Sequence, residues 1–122
     1  MAFMFEKLEV YQKAVDFADR ITKITEQFPR GYYFLTDQLN RAALSISTNI
    51  AEGNGRFTKA DRRNYFTIAR GSIHECIPLI ELGFRRGLIN KEVHSQFYAE
   101  IETLAKMTSG LIKGLDNRQQ DK

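Results

Sequence analysis

Apolar residues recur along the chain at intervals of three and four, the spacing of one helix face. Val10, Ala14, Phe17, Ile21, Ile24 and Phe28 make one such stripe, and Leu8, Tyr11, Val15 and Ala18 lie beside it. Together they predict an amphipathic helix over residues 5–28 with a broad face for a bundle core. Pro29 disfavours helical geometry at Phe28 and closes the run. A second helix is predicted over 36–53, with Thr36 as N-cap and Asp37 in the first turn. Leu35, Leu39, Ala42 or Ala43, Ile46 and Ile50 form its stripe, and Gly53 or Gly55 supplies a left-handed cap. A third is predicted over 59–86, capped by Thr58 with Asp61 three residues on. Its stripe is Phe66, Ala69, Ile73, Cys76 and Ile80. Pro78 falls inside this pattern, where a kink is expected rather than a break. Gly87 ends it. The fourth, over 91–114, follows the N-cap Asn90 and carries Val93, Phe97, Ile101, Leu104 and Leu111. The polar tail from Asp116 is expected to fray.

Four amphipathic segments with short connections, and no strand-like alternation, predict one all-α domain over residues 1–122. Its expected form is an antiparallel up-down-up-down four-helix bundle. No apolar run is long enough to span a membrane, and the N-terminus lacks the basic start and apolar stretch of a secretory signal. Cys76 is the only cysteine, so an internal disulfide and a CxxC motif are both excluded. The expected compartment is the cytoplasm.

Charge separates the middle of the chain from its flanks. Residues 1–40 carry five Lys/Arg against six Asp/Glu, residues 41–86 eight against four, and residues 87–122 five against five. In the middle section every basic residue but Lys59 is arginine, whose planar fork suits phosphate and carboxylate. Candidate phosphate contacts are Arg41, Arg56, Lys59, Arg62, Arg63, Arg85 and Arg86. A solvated basic surface with no ligand is the competing reading.

The middle section also carries a polar seam. Ser45, Asn49 and Glu52 step along the second helix beside its apolar stripe, and Ser72 and Glu75 do the same on the third. Buried polar groups need partners, and Arg56 and Arg70 are candidates to pair with Glu52 or Glu75. The expectation is a structural network of Ser45, Asn49, Glu52, Arg70, Ser72 and Glu75 that fixes helix register or a subunit contact. A small-molecule site in the same seam is the alternative.

No catalytic or metal constellation emerges. His74-Glu75 fails HExxH because the fifth position is Pro78, and EGNGRFTK does not fit the phosphate-loop pattern. His94 lies on a different predicted helix. Cys76 falls on the apolar stripe. The expectation is therefore a protein that is not an enzyme and uses no cofactor or metal.

The stretch SISTNIAEGNGR, with YYFLTDQLNRAALS before it and FTIARGSIHE after it, resembles a bacterial family known as the four helix bundle proteins. The family includes proteins encoded in intervening sequences of large-subunit ribosomal RNA genes. A related branch is the accessory variability determinant of diversity-generating retroelements. The pattern QLxRAAxSIxxNIAEGxGR is met from Gln38 to Arg56, and ARGS with a following acid by Ala69–Ser72 and Glu75; Pro78 departs from it. The resemblance implies a closed homopentamer and suggests nucleic-acid binding. The leading expectation is an oligomer that holds RNA or DNA mainly through phosphates. The alternative is an interaction scaffold docking an acidic partner such as a reverse transcriptase.

Overall fold

The computed structural model describes residues 3–116. Regular structure among them is helical throughout: α1 (Glu9–Thr25), α2 (Tyr33–Asn54), α3 (Lys59–Arg85) and α4 (Lys91–Asp116). Short 3-10 turns at Met4–Lys7 and Arg30–Tyr32 precede α1 and α2. α1 packs on α2, α2 on α3, α3 on α4, and α4 also meets α1. The apolar stripes therefore share one interior. Phe17 and Ile21 of α1, Leu39 and Ile46 of α2, Ile73 of α3 and Leu104 of α4 are fully buried there. Phe17 and Phe97 meet edge-on across α1 and α4, with centroids 5.8 Å apart.

Capping chemistry sets two helix starts where the sequence puts them. Thr58 Oγ1 accepts the Asp61 N–H at 3.0 Å, and Asn90 Oδ1 accepts the Val93 N–H at 2.8 Å. Two other boundaries differ from expectation. The first predicted helix is interrupted at Leu8, which is extended (ψ 127°). The Glu6 carboxylate accepts the Phe3 N–H and closes a separate turn, which sets Phe5 edge-on to Tyr11. At the other end α1 stops at Thr25, and tighter bonds from Gln27 to Ile24 and from Phe28 to Thr25 carry the chain to Pro29.

The second helix begins at Tyr33 and not at Thr36, because the turn after Pro29 feeds directly into it. Thr36 is an interior residue whose carbonyl accepts from Asn40 Nδ2. Neither predicted glycine forms a left-handed cap on α2: Gly55 is right-handed (φ −86°) and Gly53 lies inside the helix. Gly53 serves close packing instead. A Cβ there would stand 2.6 Å from the ring of Phe66, so α2 and α3 approach each other only because it is absent. α3 runs unbroken through Pro78. Past its end Gly87 takes the left-handed conformation (φ +76°), and the Gly83 carbonyl accepts from the N–H groups of Leu88 and Ile89. α4 ends the described chain at Asp116, so most of the polar tail lies outside the described residues. None of the described helices is long and apolar enough to cross a membrane.

Candidate nucleic-acid interface

The connection from α2 to α3 is short because α2 runs through Asn54 and Thr58 caps α3 at once. It gathers Arg56, Lys59, Arg62 and Arg63 at one corner of the bundle. Arg56 Nη2 donates to Glu52 Oε2 at 2.9 Å and to Tyr65 Oη at 2.8 Å, and its guanidinium lies 4.6 Å from the centre of the Tyr65 ring. Arg62 Nε donates to the Arg56 carbonyl at 2.7 Å, which folds the connection over the first turn of α3. Arg63 pairs with Asp116 of α4, and this bond holds the Asp116 carboxyl below its ordinary value. Lys59 adds a weaker electrostatic pull on the same carboxylate. Phe57 stands out from this corner almost wholly in solvent, 98% exposed.

The polar seam divides into two parts. Asn49 Nδ2 donates to the carbonyl and the hydroxyl of Ser45, at 2.8 and 2.9 Å, and the Ser72 hydroxyl donates to Ser45 Oγ at 2.8 Å. Ser72 is buried and the other two are half-buried, so this cluster ties α2 to α3. Glu52 lies outside it: its side chain is 56% exposed and pairs with Arg56 just past the end of α2. Arg70 and Glu75 are exposed, and neither side chain makes a hydrogen bond among the described residues. The expected six-residue network is therefore corrected to Ser45, Asn49 and Ser72. The stripe turns outward toward Glu52, and Arg70 and Glu75 face solvent.

The other expected phosphate contacts do not join the corner. Arg41 lies exposed within α2 and pairs with Asp37 at 3.4 Å. Arg85 pairs with Glu81 at 3.0 Å, and Arg86 donates to Tyr32 Oη at 3.3 Å. Arg62 and Arg85 sit near opposite ends of a 27-residue helix, roughly 40 Å long. The seven cations thus do not form one surface. Sequence reasoning assigns no site role to Phe57 or Tyr65. Phe57 had a readable signal, since it is an aromatic in a polar connection outside every apolar stripe.

A family model described as 23S rRNA-intervening sequence protein matches residues 6–110. The chain belongs to this family. Its fold is similar to that of a protein of unknown function from the S23 ribosomal protein family of Bacteroides thetaiotaomicron, solved by crystallography, with a TM-score of 0.80 and 25% identity. That likeness covers 85% of this chain and 98% of the other. No curated protein matches the chain.

In this member of the intervening-sequence family the two histidines serve different contacts. His74 Nδ1 lies 2.9 Å from the Arg70 carbonyl on its own helix. His94 Nε2 lies 3.1 Å from Glu81 and joins α4 to α3, with its ring centre 4.6 Å from that of Phe84 and 6.4 Å from that of Tyr98. Among the described residues no three His, Cys, Asp or Glu side chains gather as a metal site. Cys76 is buried, and burial pushes its thiol up to about 12, so it is held as an unreactive thiol.

Proposed function

We propose that this protein is a non-enzymatic, oligomeric nucleic-acid-associated protein that holds RNA or DNA through phosphate contacts at the α2–α3 corner. The observation that carries this reading is the convergence of Arg56, Lys59, Arg62 and Arg63 there. Three carboxylates share the corner: Glu52, Asp61 and Asp116. One site is therefore only slightly basic and binds weakly. Several copies in one assembly would multiply such contacts through avidity. Exposed ion pairs of this kind contribute little, so an incoming phosphate exchanges with a carboxylate at little cost.

The oligomer belongs to the same reading. Tyr33, Phe34 and Leu44 on α2 and Ile68 and Leu82 on α3 are exposed apolar side chains. They suit burial between copies of an up-down-up-down bundle in a closed ring, and a homopentamer fits the family resemblance. Among the described residues, Lys59 and Arg62 are the cations at the corner that no carboxylate pairs directly, which makes them the best target for a test. Replacing both with Glu should abolish electrophoretic shifts of a mixed RNA and DNA panel at low salt while oligomer mass and helicity stay unchanged. Unchanged shifts would refute the corner as the interface. If the wild-type protein gives no shift at tens of micromolar, an acidic protein partner becomes the better reading of the same arginines.

A further inference from the structure

Phe57 is the most exposed large apolar side chain among the described residues, and the bundle core gives no reason for it. It borders a shallow depression of about 260 Å³ lined by Ala51, Glu52, Gly55, Arg56, Phe57 and Asp61. Asp61 spends its backbone N–H on the Thr58 cap, and its carboxylate has no partner among the described residues. Lys59 lies two and Arg62 five residues past Phe57 along the chain. We infer that Phe57 is a stacking platform for one unpaired nucleobase of a bound strand, whose flanking phosphates lie on Lys59 and Arg62. This rests on the proposed nucleic-acid reading and narrows it to single-stranded segments.

Three features favour a base over other occupants. An aromatic face set among cations is the pairing used by proteins that bind single strands without reading sequence. The free Asp61 carboxylate repels phosphate from the depression but accepts hydrogen bonds from base amino groups. A second protein copy pressed onto Phe57 would strip water from Arg56, Lys59 and Arg62, a cost that a strand bringing phosphates offsets. In a duplex the bases are already stacked and no face is free for Phe57.

The chain has no tryptophan, so Phe57→Trp installs a single fluorescent reporter at the platform. A short unstructured RNA strand should quench the indole of this variant, and the same strand in a duplex should not. Labelled-strand anisotropy should show Phe57→Ala weakening single-strand binding by roughly 5- to 140-fold, the range for losing one base–aromatic stack, with Phe57→Tyr retaining it. Because Phe57 packs on nothing in the core, these variants should melt like the wild type. Binding seen by anisotropy without quenching, and unchanged in Phe57→Ala, would overturn stacking and leave the phosphate reading standing. Indole emission from Phe57→Trp that is already blue-shifted before RNA is added would overturn it too, by showing that protein covers the residue. Absence of any wild-type binding would remove both readings.

Discussion

Two glycines show how closely α3 is approached by its neighbours. A Cβ at Gly53 would stand 2.6 Å from the ring of Phe66 and 3.2 Å from Tyr65 Cβ, and one at Gly83 would stand 2.8 Å from the terminal methyl of Ile89; Phe66 and Ile89 are both buried. Alanine regains up to about 1 kcal/mol of helix propensity at either site. Gly53→Ala should therefore lose roughly 1–2 kcal/mol net through overpacking, and Gly83→Ala, whose nearest neighbour is the end of a side chain rather than a ring, should also lose stability but less, by chemical denaturation. The seam residues divide in the same way. Asn49→Ala removes two bonds around half-buried Ser45 and should cost about 1 kcal/mol. Glu52→Ala breaks only an exposed pair and should cost about 0.5 kcal/mol or less. From sequence the two positions look alike, because a stripe gives an angle around a helix but not how deeply the neighbouring helix covers it. Cys76 was legible as a core residue. Its burial predicts no reaction with a disulfide reagent near neutral pH until the protein unfolds, which a stopped assay with and without denaturant checks.

At the scale of elements, α3 and α4 are joined near both ends by titrating groups. Glu81 accepts from Arg85 and lies beside His94, and both contacts hold its carboxyl below its ordinary 4.5. Asp116, paired with Arg63, is held below its ordinary 3.8. A carboxyl lowered by folding gives stability that is complete above its unfolded value and is lost as pH falls through the folded one. Acidification below about pH 4.5 should therefore loosen the α3–α4 contact. Glu81→Gln removes one of the two groups. Its melting temperature should fall less than that of the wild type between about pH 7 and about pH 3, and an equal fall would contradict the linkage. The starts of α3 and α4 were readable because Thr58 and Asn90 are strong local caps with local partners. The starts of α1 and α2 were not. The first depends on Glu6 closing a separate turn, and the second on a 3-10 turn that runs into the helix without any side-chain cap.

For the whole molecule, the all-helical fold was legible because four stripes of helical period leave one way to bury their apolar faces. The shape of the interface was less so. Charge counts along the chain located an arginine-rich middle section, but one helix carries its arginines to opposite ends; Arg41, Arg56 and Arg85 pair with carboxylates four residues back along the chain, whereas Arg63 meets Asp116, which only the fold brings near. The assembly is testable apart from any ligand: light scattering at micromolar concentration should report about five protomers, and a monomer mass would remove the avidity on which weak sites depend. The most direct test of the account is the salt dependence of RNA binding by the wild-type protein beside Lys59→Glu/Arg62→Glu. If phosphates at the α2–α3 corner carry the affinity, the logarithm of the wild-type binding constant should fall steeply and linearly with the logarithm of salt concentration. Any binding left in the variant should show a slope shallower by about two for each corner engaged. Binding that ignores salt, or a variant with the wild-type slope, would contradict it.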